Sequence, residues 1–257
     1  MEYKQIIQAY FSPCGTTQKA VCSVGQAWRC VSKKEIDMTP FALAEQSYTM
    51  TEQEILIVGV PAFGGRVPET AVKRLQKLHG NHTPAIAVVT FGNRAFDDTL
   101  LELQDILQKQ GFLVVAGIGA VTEHSIMHCF GKDRPTTEDC KQLCAFGEQI
   151  KTKMEKSIQS TTKIPGNRPY ITYHSTRLVP VCDDACKGCG ICADNCPTEA
   201  IPKEKPNTTD KQKCISCMGC IAICPEKARS IPAPVLDMLI ERLGAACSTR
   251  KENSLYL

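Results

Sequence analysis

The chain of 257 residues has no run of eighteen consecutive apolar residues, so no segment is expected to span a membrane. Its first residues, from Met1 to Gln5, lack the basic stretch and apolar core of an export signal. Aromatic residues are scarce, at 6%, and the single tryptophan, Trp28, falls in the first helical segment, where packing is its expected role. The formal charge of +3 is too small to argue for nucleic acid. No GxGxxG follows any apolar strand, which speaks against direct use of a nicotinamide cofactor, and GxxxxGK[ST] is absent too.

Cysteine is the exception to this plainness, with sixteen residues. Eight fall into two copies of one pattern: Cys186, Cys189, Cys192, Cys196-Pro197 and Cys214, Cys217, Cys220, Cys224-Pro225. Each reads C-x₂-C-x₂-C-x₃-C-P, the spacing that holds a cubane [4Fe–4S] cluster in bacterial two-cluster ferredoxins. Three thiolates two residues apart reach three corners of a cube, and the fourth ligates the other cluster. One cluster is therefore expected on Cys186, Cys189, Cys192 and Cys224, the second on Cys214, Cys217, Cys220 and Cys196. Zinc is the competing reading of paired CxxC motifs, but it needs two pairs rather than four cysteines in a row, twice. Bridges between cysteines this close would be strained. The copies repeat at an offset of 28 residues, which sets Ala200 over Ala228. A unit this small cannot fold on apolar burial alone, and the metal supplies the missing stability.

Of the other cysteines, Cys22, Cys30, Cys140 and Cys144 fall in helical stretches and are expected as buried apolar groups. Cys182 precedes the first motif and Cys247 lies in a late helix, both outside the ligand pattern. Thiolate clusters and this many cysteines point to a reducing, low-oxygen cytoplasm.

The first 160 residues alternate short apolar runs with amphipathic ones. Strands are expected at 4–10, 33–37, 54–60, 85–90 and 112–119, and helices at 16–28, 69–78, 97–110 and 137–156. Strands that are apolar throughout, separated by helices, mean a parallel sheet covered on both faces. The expected architecture is a doubly wound five-stranded α/β sheet of order 2-1-3-4-5, followed by a small α+β two-cluster domain. Ligands bind such sheets at the carboxyl ends of the strands. Ser12, Cys14, Gly15, Thr16 and Thr17 lead directly into a helix, where backbone N–H groups and hydroxyls make an anion pocket.

That segment resembles the phosphate loop of flavodoxins, which holds the 5′-phosphate of FMN. Two further loops extend the resemblance: Pro61, Ala62, Phe63, Gly64, Gly65 and Arg66 after the third strand, and Thr90, Phe91, Gly92, Asn93, Arg94, Phe96 and Asp98 at and after the fourth. Glycines at 64, 65 and 92 let backbone approach a flat ring and offer it a hydrogen bond at flavin N5. Asn93 and Arg94 are candidates for the pyrimidine edge, and Phe63, Phe91 and Phe96 for stacking or core. Together with Thr122, Glu123, His124 and Ser125 and the double cysteine motif, these segments are similar to the flavodoxin–ferredoxin fusion proteins of anaerobes, sometimes called ferrodoxins. The resemblance implies an FMN domain flavodoxin-like in fold, two [4Fe–4S] clusters, and an electron carrier working between redox partner proteins of ferredoxin or flavoenzyme type. His124 and His128 are expected to hold a loop, with donation to a flavin or substrate as the alternative.

The expected units are 1–160 for the flavin domain, 161–180 for a Pro/Gly-rich linker, 181–232 for the cluster domain, and 233–257 for a helix and tail. The helix at 234–246 is expected to dock on the flavin domain. Residues 181–257 carry equal numbers of acidic and basic side chains, so no strong electrostatic docking to a basic partner is expected. Three functions are compatible with these readings: electron transfer between ferredoxin-type donors and a flavin-dependent acceptor, a ferredoxin-fed flavin reductase acting on a small organic substrate, and a flavin-free docking module.

Overall fold

Two strands that are apolar on both faces form the centre of the first domain. In the computed structural model, which describes residues 3–161, 164–173 and 178–257, β1 (Gln5–Tyr10) leads through α1 (Thr16–Gly25) to β2 (Ser32–Asp37), β3 (Tyr48–Met50) and β4 (Glu54–Pro61). Then follow α2 (Glu69–Leu75), β5 (Leu78–Gly80), β6 (Thr83–Phe91), α3 (Thr99–Lys109), β7 (Phe112–Val121) and α4 (Thr137–Lys156). The C-terminal part adds β8 (Val181–Cys182), α5 (Ile191–Asp194), α6 (Gly219–Ala222), β9 (Arg229–Ser230), α7 (Ala233–Ser248) and β10 (Ser254–Tyr256).

The main sheet runs β10-β7-β6-β4-β1-β2. Its parallel strands lie in the doubly wound order read from the sequence, and β10 adds a sixth, antiparallel to β7. Every residue of β6 is buried, whereas β2 is charged, mostly exposed and forms an edge. Side chains alternate between two cores. Leu56, Val58 and Val60 pack with Leu75 and Leu103 on one face, and Ile55 and Ile57 with Val21, Val24 and Leu143 on the other. Among the described residues, no helix is long and apolar enough to cross a membrane.

The cysteine-rich repeat is visible in the backbone. α5 and α6 stand 28 residues apart. So do three pairs of left-handed residues: Gly188 and Ser216, Gly190 and Met218, Glu199 and Lys227. β8 and β9 close the unit as an antiparallel pair.

The described part of the connector is fastened to the first domain. Thr161 N–H donates to Val114 O at 2.9 Å, and Ile164 is buried in the first core. Asn167 and Ile171 N–H both donate to the Asp98 carboxylate, while Arg168 pairs with Asp105. Residues 162–163 and 174–177 of the expected linker lie outside the described residues. α7 docks on the first domain, its Leu239 and Cys247 packing with Met127 and Phe130 of the loop after β7. Beyond it, Asn253 is buried: its side chain accepts from Val121 N–H and donates to Asp139 and Gln142, setting β10 against the sheet.

Candidate redox site

The two cysteine motifs are each carried on a short helix and left-handed turns. Cys186, Cys189, Cys192 and Cys224 line one small cavity, so the fourth cysteine of the second motif comes to the first three of the first. Burial pushes the Cys217 thiol well above its ordinary value, and the nearby Cys14, Cys220 and Cys196 add to that rise. Cys196 likewise acts on Cys214 and Cys220, which burial also raises, the latter to about 11. Four half-buried sulfurs, three of them raised in proton affinity by the charge of the fourth, are a donor set for a cationic group. Among the described residues, no three His, Cys, Asp or Glu side chains form a group that could hold a metal ion. The donor chemistry and the shared cavity fit a cluster with several iron corners.

The second set is pressed against the carboxyl end of the sheet. Cys14 Sγ donates to Cys217 O at 3.3 Å, and burial pushes its thiol up to about 12, so it stays protonated. Arg74 of α2 donates to Pro197 O at 2.6 Å and to Met38 O and Thr39 O, tying the turn after Cys196 to the first domain. Ile215 packs on the first core and Met218 is buried.

α1 is preceded by Gly15, whose φ of 80° suits glycine and whose missing side chain leaves open space. Ser12 Oγ accepts from Gln18 N–H at 2.9 Å, while the helix carries no side-chain cap at its first residue. The helix N-terminus opens into a cleft of about 460 Å³ lined by Cys14, Gly15, Thr16, Lys19, Glu123, Ser125, His128 and, from the cysteine-rich unit, Met218, Ile221 and Ala222. This volume falls in the range of small-molecule sites, which is about 300–1,000 Å³. Thr17 turns away, its Oγ1 hydrogen-bonded to Thr90 Oγ1 at 2.8 Å in the core.

The loops expected to hold a ring are engaged by the chain itself. Phe63 and Arg66 form a β-bridge after the half-buried Pro61 and Ala62, with Gly64 and Gly65 at its tip. A side-chain carbon at Gly65 would collide with Asp97 and lie 2.6 Å from Ile171 Cδ1. Arg66 pairs with Glu102, donates to Ile171 O and lies over the Tyr170 ring. Residues 167–171 thus cover the space between the two loops. Asn93 is buried and spans to the C-terminal segment, donating to Cys247 O and Thr249 O and accepting from Lys251 N–H. Arg94 pairs with Asp97, and Gly92 packs on His124. Phe91 and Phe96 stack edge-to-face, Phe96 also against Tyr256. None of these loop residues lines the cleft at α1.

His124 holds its loop. Its Nδ1 accepts from the N–H groups of Ile126 and Met127, and burial, with the charges of His128 and Arg94, lowers its pKa from 6.5 to about 4. A histidine lowered on folding lends stability fully above its unfolded value and loses it as pH falls through the folded one. The Ile126 and Met127 amides are therefore expected to stay protected from hydrogen exchange at pH 7 and to lose protection, relative to intrinsic rates, towards pH 4. His128 Nδ1 meets Glu123 Oε1 at 2.6 Å on the cleft wall. Cys22, Cys140 and Cys144 are only half-buried on their helices, and Cys30 is exposed, because α1 ends at Gly25 and leaves it in the following turn. Sequence reasoning did not single out Lys19, Met218 and Ile221, which carry no motif and meet only in the folded chain.

Residues 185–229 match the family of 4Fe–4S dicluster domains. The chain is 42% identical over 55 residues to the trichloroethene reductive dehalogenase of Dehalococcoides mccartyi, covering 16% of this chain and 10% of the dehalogenase. It is 45% identical over 49 residues to a component of the ion-translocating oxidoreductase complex of Methanosarcina acetivorans, 19% of each. The chain thus spans only a small part of these relatives. Among solved structures, a WrbA-like flavodoxin from Agrobacterium tumefaciens aligns over 60% of this chain and 98% of its own, at TM-score 0.41 and 14% identity. A flavodoxin from Archaea aligns over 59% and 99%, at TM-score 0.37 and 13% identity. The protein is a doubly wound α/β domain followed by a unit that matches the 4Fe–4S dicluster domains over residues 185–229.

Proposed function

We propose that this protein carries electrons between two [4Fe–4S] clusters and an FMN, linking one-electron ferredoxin-type donors to a flavin-dependent acceptor. One cluster is held by Cys186, Cys189, Cys192 and Cys224, the other by Cys214, Cys217, Cys220 and Cys196. The observation that carries the reading is the contact of Cys14 with Cys217: the second set abuts the anion-binding start of α1. A bound FMN supplies a centre that exchanges one or two electrons, where each cluster exchanges one. The N-terminus of α1 at Gly15 and Thr16, with Lys19 beside it, would hold the phosphate, and Met218, Ile221 and Ala222 wall the same cleft. The cysteine content suits a reducing cytoplasm, and the units are 1–160, 161–180, 181–232 and 233–257.

A second reading has its own support. Residues 167–171 lie between the loops at 61–68 and 91–98, which favours a first domain that docks the cluster unit and holds no flavin. Fluorescence titration of FMN into the anaerobic holoprotein separates the two. The first reading expects one FMN per chain, and affinity reduced at least about tenfold in Lys19→Glu, since charges in contact at a partly buried site are worth about 1–3 kcal/mol. Absence of saturable binding leaves the docking reading.

A further inference from the structure

The repeat breaks its own pattern at one buried position. Ile201 and Arg229 are 28 residues apart, each five residues after the last cysteine of its motif. Ile201 is 4% exposed and packs with Cys192 and Ala193, an ordinary apolar position. Arg229 is 3% exposed. Its guanidinium donates to Thr209 Oγ1 at 2.9 Å, to Thr208 O at 3.1 Å and to Pro206 O. Among the described residues, no carboxylate lies within ion-pair reach of it. A buried cation is normally paired with an anion, because an unpaired one is costly. What faces this one is sulfur. Arg229 lines the cavity formed by Cys186, Cys189, Cys192 and Cys224.

We propose that Arg229 is a positioned charge that sets the potentials of the clusters, and it does so most strongly for the one on Cys186, Cys189, Cys192 and Cys224. The inference rests on the cluster assignment above. When a cluster accepts one electron from a ferredoxin-type donor, it gains one unit of negative charge, and no bond is made or broken. A fixed positive charge in a site of low dielectric favours that reduced form, and net charge and hydrogen bonding around the sulfurs are among the known determinants of cluster potential. Replacing the apolar residue of the repeat by arginine in one half only makes the two clusters unequal. The electron then rests first on the cluster whose cavity Arg229 lines.

The test is an anaerobic redox titration of the holoprotein, followed by electron paramagnetic resonance, with iron counted on every sample. Arg229→Gln removes the charge and keeps a donor; Arg229→Lys keeps the charge. The glutamine variant is expected to disfavour one-electron uptake by about tenfold or more, which is about 59 mV at n = 1. The lysine variant should stay within about threefold of the parent, about half that shift. Glutamine variant potentials equal to the parent's, at equal iron content, would overturn the proposal. So would loss of iron in both variants, which makes Arg229 a scaffold residue. A parent protein without iron sinks instead the cluster assignment itself.

Discussion

Cys196→Ala is expected to strip the iron from Cys214, Cys217 and Cys220 while leaving it on Cys186, Cys189 and Cys192. The reason is the proposed exchange of fourth ligands between the two motifs. Cys224 lines the cavity of the first three cysteines, and Cys196 acts on the second three. A three-thiolate remnant binds its cluster weakly, so iron should fall from about eight to about four per chain. Anaerobic alkylation and mass spectrometry give the answer by residue. Cys214, Cys217 and Cys220 should become reactive in Cys196→Ala, and Cys186, Cys189 and Cys192 in Cys224→Ala. The opposite pattern would mean that each motif serves its own cluster. Since metal ligation is part of the folding energy of such small units, both variants should also unfold more readily.

The second large effect is expected at Asp98. Its carboxylate is fully buried; Oδ1 accepts from the Asn167 N–H at 2.8 Å and Oδ2 from the Ile171 N–H at 2.7 Å. Burial favours its protonated form, but these donors, with Arg66 nearby, outweigh burial and hold the group below the usual carboxylate range. The stability it supplies is present above its unfolded pKa and is lost as pH falls through the lower folded one. Hydrogen bonds to a charged group are worth about 1.5–3 kcal/mol each, so Asp98→Ala should cost about 3–5 kcal/mol in urea unfolding. The loss should be local first. Amides at 167 and 171 lose their acceptor and should exchange freely, while Arg66, Arg168 and Tyr170 still fasten the rest of the segment. If that segment competes with a flavin ring for the loops at 61–68 and 91–98, FMN should bind the variant more tightly than the parent. An unchanged affinity would mean that these loops take no part in binding.

The architecture was legible where apolar periodicity extends over several turns or a whole strand. α4 was expected at 137–156 and is found there, since twenty residues carry a clear 3.6 period and Thr136 with Asp139 close its start as a capping box. The central strands were legible because burial on both faces leaves them apolar throughout. β10 was not: three residues cannot show an alternation, and its partner strand is more than 130 residues earlier. β3 and β5, also three residues each, were hidden for the same reason.

The cysteine pattern was legible because ligand spacing is local. The loop residues were harder. Asn93 sits after a strand with a left-handed φ, where a ligand-binding residue sits in many such sheets, but its amide is taken by the main chain of residues 247–251. That contact depends on how α7 docks, which no local signal encodes. Arg229 was readable in principle, since aligning the repeat sets it over Ile201.

The central claim is that iron–sulfur centres in the C-terminal unit take up single electrons. It is tested most directly by stepwise anaerobic reduction of the holoprotein, with absorbance followed and iron and sulfide counted on the same sample. About eight irons and eight sulfides per chain, with visible absorbance bleached by reduction and restored by reoxidation, is the expected result. A protein prepared without oxygen that binds zinc in place of iron, or whose spectrum does not respond to reductant, would contradict it.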